Sequence, residues 1–177
     1  MPCVEEIFRE AENILKEKAG GYVIRRAKHD DLPKVMHINR VCLPENYPMY
    51  FFEDLLKHYE KTFYVAESPN GDIVGYIMCR VEWKPGFFAK TILKSLHVVS
   101  IAVLADHRRK GLGYALMAYA MFSGHKEYEC RETYLEVRVS NLPAIKLYEK
   151  LGYKVVKIAS AYYLDGEDAY IMARPLP

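Results

Sequence analysis

Apolar side chains recur at helical spacing through residues 4–18, and the paired Gly20 and Gly21 end the pattern. The positions on the shared face are Ile7, Ala11, Ile14 and Leu15. Because apolar residues three and four positions apart lie on one side of a helix, the segment predicts an amphipathic helix that buries this face. The segment bracketed by Pro44 and Pro48 must end the next helical pattern, since proline removes a backbone donor and favours turns.

Strand and helix patterns alternate along the rest of the chain. We expect strands over residues 22–26, 62–67, 73–83, 96–104, 133–139, 153–164 and 169–173. We expect one helix from an Asp30 cap to about Val41, and others over residues 50–59, 111–123 and 142–151. Turn residues at 70–72 and 165–166 predict antiparallel hairpins, whereas the two strand–helix units after residue 96 predict a parallel pair between them. The chain therefore predicts a mixed α/β sheet.

Composition narrows the class of protein further. The 177 residues are enough for one domain with a buried core, and the chain has no internal repeat or low-complexity tract. A formal net charge of +2 does not favour general nucleic-acid binding, and no stretch approaches the ~18 consecutive apolar residues of a membrane span. The four cysteines, Cys3, Cys42, Cys79 and Cys130, show no disulfide or zinc spacing. We therefore expect reduced thiols in the cytoplasm, with neither a nucleic acid nor a membrane as partner.

A basic, glycine-containing loop follows the apolar strand over residues 96–104. Three basic residues at 108–110 precede Gly111 and Gly113, which open the next helix. Glycine lets backbone N–H groups approach a phosphate closely, and the free N–H groups at a helix start favour an anion. The loop is not a dinucleotide fingerprint, because position 116 is leucine rather than glycine, and no Walker string occurs. On this loop alone, a pyrophosphate site and a solvated basic turn both remain open.

Two motifs occur in the order typical of a known family. The string Arg108-x-x-Gly111-x-Gly113 after an apolar strand resembles the acetyl-CoA motif of the GNAT acetyltransferase superfamily. Residues 141–153, Asn-Leu-Pro-Ala-Ile-Lys-Leu-Tyr-Glu-Lys-Leu-Gly-Tyr, resemble its N-x-x-A-x-x-L-Y-x-x-x-G-[FY] pattern. The resemblance spans about residues 22–174. It implies an α/β GNAT fold, with a mixed, mostly antiparallel sheet, a splayed central parallel strand pair and flanking helices.

Three further segments are similar to those of archaeal NatA-type protein N-terminal acetyltransferases, which work as single chains. They are residues 43–48 (LPENYP), 134–141 (YLEVRVSN) and 162–170 (YYLDGEDAY). The first predicted helix falls outside the resemblance. We therefore divide the chain into an N-terminal helical extension, residues 1–20, and a GNAT acetyltransferase domain, residues 21–177.

The resemblance implies that acetyl-CoA lies where the strands at 96–104 and 133–139 diverge. Backbone groups of the first strand then pair with pantetheine, and the basic loop holds the pyrophosphate. The implied cofactor-binding residues are Ile101, Ala102, Val103, Arg108, Arg109, Lys110, Gly111, Leu112, Gly113, Tyr114, Asn141, Tyr148, Glu149 and Lys150. The resemblance also makes Tyr148 the proton donor to the leaving thiolate, and a tyrosine that only packs a buried helix face is the alternative.

Glu136 and His97 are the candidate bases that remove the proton from the acceptor amine, and both belong to the expected substrate-binding set. Each lies on a strand of the central pair, and either can accept the proton directly or through water. Glu136 interrupts an apolar run, so it requires a partner or an open cleft, unless it is a half-exposed strand residue. His97 can equally be a structural histidine. Two such side chains are fewer than a zinc site normally uses, so we expect no metal and keep this pair only as the alternative.

The proline-bracketed loop and the last hairpin supply further candidate residues. The resemblance implies that Glu45 and Tyr47 form one wall of a peptide site. Tyr162, Tyr163 and Tyr170 then form the opposite wall, unless these rings only pack the hairpin edge. Glu45 can also bind or deprotonate the substrate amine, so it joins the candidate catalytic residues; an exposed loop charge is the alternative.

We therefore expect an enzyme that transfers acetyl from acetyl-CoA to the N-terminal α-amine of proteins that begin with Ser, Ala or, in some cases, Met. Direct attack in a ternary complex is expected, because no cysteine lies beside the site motifs. Acetylation of lysine or of a small-molecule amine, and a non-catalytic CoA-binding module, are the alternatives. Protein N-termini or peptides are the expected partners, and a ribosome or dimer partner stays open.

Overall fold

A seven-stranded sheet runs through the computed structural model, which describes residues 1–177. Its strands are β1 (Val23–Arg26), β2 (Tyr64–Glu67), β3 (Ile73–Pro85), β4 (Ile92–Val103), β5 (Glu132–Arg138), β6 (Lys154–Ala159) and β7 (Ala169–Pro175). Their order across the sheet is β1-β2-β3-β4-β5-β7-β6. All neighbouring strands pair antiparallel except β4 and β5, which are parallel. The expected mixed sheet with a central parallel pair is confirmed.

Five helices cover the two faces of this sheet. They are α1 (Val4–Lys16), α2 (Leu32–Cys42), α3 (Met49–His58), α4 (Leu112–Tyr128) and α5 (Leu142–Lys150). Residues of α1, α4 and α5 share one apolar cluster with the sheet, and residues of α2 and α3 share a second cluster with β2, β3 and β4. The length and apolar composition required to cross a membrane are found together in none of these helices.

The central parallel pair is short. Strands β4 and β5 are in register over three pairs of residues, the last of which is His97 with Tyr134. Beyond that pair, β4 continues against β3 alone and β5 against β7 alone. A bulge lies where the strands part, because Cys79 faces Val98 and Met78 faces Ser100, which leaves one residue of β4 without a partner. Bulges bend a strand, so this one favours the divergence that opens a cleft between β4 and β5.

The expected N-terminal helix is confirmed as α1 and ends two residues earlier than expected. Val4, Ile7 and Ala11 are buried and belong to the same apolar cluster as α4. At the exposed side of this contact, Lys126 of α4 lies 3.6 Å from a carboxylate oxygen of Glu5. The helix therefore shares the core of the rest of the chain, and the boundary drawn between residues 20 and 21 stays a prediction.

Two local expectations are wrong. The strand expected over residues 153–164 ends at Ala159, because Ala161 has a left-handed backbone with φ of 49° and its N–H donates to Oδ1 of Asp168 at 2.8 Å. Asp30 does not cap α2. A 3₁₀ turn at His29–Asp31 precedes this helix, and the carboxylate of Asp31 accepts from the backbone N–H of Lys28 at 2.8 Å.

Candidate active site

The diverging strands enclose a cavity of about 550 Å³. Its floor comes from residues 98–101 of β4 and 135–138 of β5. The loop between α2 and α3 forms one side, and the loop between β6 and β7 forms the other. Among the predicted site residues, the cavity is lined by Glu45, Tyr47, Ile101, Glu136, Asn141, Tyr148, Tyr162 and Tyr163. Segments distant in sequence therefore meet in one cleft.

Other predicted residues lie beside the cavity or away from it. Ala102 and Val103 continue β4 next to β3, and the side chain of Ala102 packs in the cluster beneath α2 and α3. Glu149 and Lys150 are exposed on α5. Tyr170 does not line the cavity: it lies on β7, pairs with Val137 of β5 and packs against the apolar cluster that includes α1, α4 and α5.

The loop from residue 108 to residue 114 presents a row of free backbone donors. Arg109 and Gly111 have left-handed backbones, with φ of 63° and 84°. The first backbone bond of α4 runs from the N–H of Ala115 to the carbonyl of Gly111 at 3.0 Å, and no N–H from 109 to 114 donates within the chain. Successive N–H groups in such turns form a concave site for an anion. The loop therefore fits a pyrophosphate.

Side chains around this loop add order and positive charge. Arg108 donates from Nε to the carbonyl of Val103 at 2.8 Å, so its guanidinium fixes the end of β4. Lys110 lies over the ring of Tyr22, with Nζ 5.9 Å from the ring centroid. Lys150 lies over Tyr114 at 5.2 Å. Two ammonium groups are thus held near the free N–H groups, which favours a ligand with several negative charges.

His97 and Glu136 form a hydrogen-bonded pair at the apex of the cleft. Nε2 of His97 lies 2.7 Å from Oε1 of Glu136. The histidine is buried, and its ring stacks on that of Tyr134 with a centroid separation of 4.4 Å and an interplanar angle of 2°. Because Glu136 reaches the cavity and His97 lies behind it, the pair can accept a proton from a group in the cleft.

Tyr148 projects from α5 into the wall of the cavity. Asn141 precedes this helix as its N-cap, because its side chain accepts from the N–H of Ala144 at 3.3 Å, and Asn141 also lines the cavity. Burial raises the pKa of Tyr148 to about 12. Its hydroxyl therefore remains protonated at neutral pH and can donate a proton to an anion that forms in the cleft.

The tyrosines of the two side walls are held by other side chains. Tyr47 stacks on Phe51 with a centroid separation of 4.6 Å, and burial followed by the charges of Glu45 and Glu136 raises its pKa. On the other side, Tyr162 and Tyr163 meet edge to face at 5.0 Å. Each of these rings therefore packs against another aromatic ring, with its hydroxyl available for hydrogen bonds.

Arg138, which the sequence reasoning missed, joins the two walls. Its Nη1 lies 2.9 Å from Oδ2 of Asp165 and 2.9 Å from Oε1 of Glu167, and its Nη2 lies 3.4 Å from Oε2 of Glu45. Its guanidinium also lies 4.0 Å from the ring centroid of Tyr163. The sequence signal for Arg138 was a basic residue at the end of an apolar strand. This signal does not identify its partners, because they are far away in the sequence.

One premise of the sequence reasoning is wrong, because a cysteine does line the cavity. Cys42 lies at the end of α2, and its Sγ–H donates to the carbonyl of Val103 at 3.7 Å. The expectation of direct attack can therefore not rest on the absence of a nearby thiol.

Comparison with known proteins agrees with this geometry. The profile of the acetyltransferase (GNAT) family matches residues 32–153, and the chain belongs to this family. It is 53% identical over 165 residues to an N-alpha-acetyltransferase of Saccharolobus solfataricus, covering 91% of this chain and 97% of that protein. It is 41% identical over 154 residues to the N-terminal acetyltransferase A complex catalytic subunit of Arabidopsis thaliana, covering 86% and 77%.

Solved structures show the same fold. The crystal structure of Ard1 from Thermoplasma volcanium has a TM-score of 0.76 at 28% identity and covers 89% of this chain and 99% of that chain. The NatB acetyltransferase complex bound to CoA and MES contains a chain with a TM-score of 0.75 at 28% identity, with coverage of 88% and 99%. The expected GNAT fold is confirmed.

Proposed function

We propose that this protein transfers the acetyl group of acetyl-CoA to the α-amino group at the N-terminus of other proteins. The observation that carries the proposal is a cleft that combines free N–H donors at one end with a hydrogen-bonded acid–base pair at its apex. Tyrosines on both sides provide surfaces for a peptide. The 53% identity to a protein named N-alpha-acetyltransferase, over nearly the whole of both chains, supports the same conclusion.

The residues present fit the donor substrate. The N–H groups of residues 109–114 and the nearby ammonium groups suit a pyrophosphate, and the open inner edge of β4 offers backbone groups to an extended ligand. When bound, acetyl-CoA supplies the acetyl group as an activated thioester. Tyr148 holds a proton on its hydroxyl at neutral pH, so it can protonate a sulfur leaving group.

The acceptor amine must become neutral before it can attack. An α-amino group has a pKa of about 7.7–8.0, against about 10.4 for lysine, so a modest base is sufficient for an N-terminus. The hydrogen-bonded pair of Glu136 and His97 provides such a base at the apex of the cleft. We therefore propose that Glu136 takes the proton of the acceptor amine and shares it with His97. The peptide then lies between Tyr47 on one wall and Tyr162 and Tyr163 on the other.

A peptide panel tests the proposed activity. We would incubate the protein with acetyl-CoA and peptides that begin with Ser, Ala, Met-Leu or Met-Glu, together with lysine peptides whose N-terminus is blocked. Acetylation of the free α-amines, with the Ser and Ala peptides preferred, is expected. Acetylation of the blocked lysine peptides alone would overturn the proposal.

Glu136→Gln serves to test the base, and a pH–rate profile identical to that of the wild type would remove Glu136 from this role.

Direct attack in a ternary complex is the mechanism we propose, and Cys42 gives it a specific test. The thiol is a hydrogen-bond donor to Val103 and could form an acetyl-enzyme only after losing this proton. Cys42→Ala is expected to retain most of the turnover, and intact mass after incubation with acetyl-CoA alone is expected to show no covalent acetyl group. An acetylated Cys42 that passes its acetyl group to a peptide would replace direct attack with a two-step mechanism.

Location and further partners follow from the same proposal. All four cysteines are unpaired, which fits the reducing conditions of the cytoplasm. Some of the similar catalytic chains belong to complexes, such as the NatB complex. For this chain we propose peptide N-termini as the partners, and we expect neither nucleic acid nor membrane as a ligand.

A further inference from the structure

A second carboxylate faces His97 on the side opposite Glu136. Oε2 of Glu82 lies 3.4 Å from Nδ1 of His97, whereas Nε2 lies 2.7 Å from Glu136. Nδ1 is buried and has no hydrogen-bond partner in the chain. Glu82 is therefore the charged side chain that is placed to act on this buried ring nitrogen.

Glu82 is fixed in this position through both of its oxygens. The hydroxyl of Tyr134 donates to Oε1, and Nε of Arg80 donates to Oε2 at 2.7 Å. Tyr134 also stacks its ring flat against His97. One face and one edge of the imidazole are therefore held by a connected group of side chains on β3 and β5.

Glu82 is charged at neutral pH. Burial opposes its ionisation, but the hydrogen bond from Tyr134 and the charges of His97 and Arg80 outweigh burial, so the pKa of Glu82 is lowered. The charged and titratable groups around His97 are Arg80 and Glu82 from β3 and Tyr134 and Glu136 from β5, with Lys84 over the ring of Tyr134.

We infer that Glu82 is a positioning residue for the acid–base step, an inference that rests on the proposed function. In this scheme the ring of His97 carries its proton on Nδ1, facing Glu82, and Oε1 of Glu136 carries the proton of its hydrogen bond to Nε2. An N–H bond of the substrate ammonium breaks, the second oxygen of Glu136 takes that proton, and the proton on Oε1 moves to Nε2 of His97. The resulting imidazolium lies between Glu136 and the carboxylate of Glu82, and Glu82 stabilises it and orients the ring, as a third group does for the histidine of other acid–base sites. The proton returns through Glu136 to water after the product leaves.

Glu82→Gln is the main test, because glutamine keeps the shape and an oxygen acceptor but removes the charge. We expect kcat to fall about 10- to 100-fold, the size of a lost contact between charged groups, while KM for both substrates changes little. We also expect the acidic limb of the pH–rate profile to move to lower pH, because an imidazolium with one carboxylate fewer forms less readily.

Glu67→Gln is a matched control on β2. The carboxylate of Glu67 also accepts from an arginine Nε, that of Arg25, at 2.7 Å, and its side chain is 30% exposed against 24% for Glu82. This variant is expected to leave kcat and the pH profile unchanged. Tyr134→Phe provides a second route, because it keeps the ring stack but releases Glu82, and a smaller loss in the same direction is expected.

A titration of His97 by NMR separates this inference from the proposed function. Protein labelled with ¹⁵N-histidine reports the protonation of both ring nitrogens without turnover, and His97→Gln identifies the signals. We expect the titration of His97 to move to lower pH in Glu82→Gln. If it moves while the wild type acetylates no peptide, the proposed function fails, although the interaction of Glu82 with His97 is confirmed. If both the titration and the pH–rate profile are unchanged, the inference is wrong. Should circular dichroism show Glu82→Gln unfolded, the same two measurements on Tyr134→Phe decide.

Discussion

Burial determines the chemistry of single side chains in this cleft, and Tyr148 is the plainest case. Its phenol lies in the wall of the cavity with its pKa raised to about 12, so it is a neutral donor throughout the pH range in which an N-terminal amine reacts. A proton donor of this kind matters only when charge develops on the leaving group. Its contribution should therefore appear in the rate constant and not in the affinity for the donor substrate.

We predict that Tyr148→Phe lowers kcat about 10- to 100-fold and changes the Kd for acetyl-CoA by less than about 2-fold. Steady-state kinetics and calorimetric titration measure the two quantities separately. Tyr153→Phe is the control, since Tyr153 is a buried neighbour whose hydroxyl bonds to Thr133 at 2.9 Å. Loss of affinity as large as the loss of turnover would instead make Tyr148 a residue that positions the donor substrate.

Single residues could be predicted from the sequence only where a motif or an interrupted pattern marked them. Glu136 interrupts an apolar strand and Tyr148 lies in a spaced motif, and both were placed in the cleft. Arg138 was missed because its partners, Asp165 and Glu45, are 27 and 93 positions away. Glu82 was missed for the same reason, because strand alternation fixes its face but not its neighbours.

At the scale of elements, the first helix supports the phosphate loop from behind. A Cβ at Gly111 would lie 2.7 Å from Cγ2 of Ile14 in α1, so the glycine and the isoleucine are in direct contact. Gly111 has φ of 84° and is the N-cap of α4. Because the free N–H groups depend on this turn, helix α1 helps to fix the geometry that we assign to pyrophosphate binding.

We predict that Ile14→Ala weakens acetyl-CoA binding about 3- to 10-fold with little change in kcat, because the turn loses its support. A loss of roughly 1–3 kcal/mol in the free energy of unfolding is also expected, less than for a fully buried isoleucine. Leu15→Ala is the control, since Leu15 is also half-buried on α1 but does not contact Gly111. Calorimetry on both variants is the measurement, and equal affinities would remove α1 from the donor site.

Element positions were largely predictable, and their ends were not. The helices and both hairpins follow from local patterns and turn residues. Strands β3 and β4 extend further towards their connecting segment than expected, and the buried carboxylate of Glu132 accepts from the N–H groups of Phe87, Phe88 and Ala89 in that segment at 2.7, 3.0 and 3.2 Å. Such a contact, more than forty residues away in the chain, leaves no local signal.

At the scale of the whole molecule, several thiol and phenol groups are buried in the core. Cys79 and Cys130 are fully buried, and burial raises the pKa of each thiol, that of Cys130 from 9.0 to about 12. Tyr76 behaves in the same way, with a pKa raised to about 12. In the folded protein these groups stay neutral at a pH at which the unfolded chain has already released their protons.

We predict a loss of stability in alkali that begins near pH 9. Folded-state pKa values above the unfolded ones give stabilisation that is complete below pH 9 and is lost as the pH rises towards 12. Each buried thiol should lower the free energy of unfolding by roughly 1.4 kcal/mol per pH unit in that window. Urea unfolding at several pH values measures the slope. Cys130→Ala should reduce it, and a slope unaffected by this change would contradict the assignment.

A sheet whose central strands diverge has four strand edges with unpaired backbone groups instead of two. Unpaired N–H and C=O groups at an edge can pair with strands of other molecules, and this is a common origin of aggregation. Here the two inner edges lie at the bottom of a cavity of about 550 Å³, and Arg138 ties its walls together through Glu45 and Asp165. A strand at the surface of another folded molecule must therefore pass between these walls before it can pair with either inner edge. The inner edges can therefore offer their backbone groups to small ligands without promoting self-association of the protein through these edges.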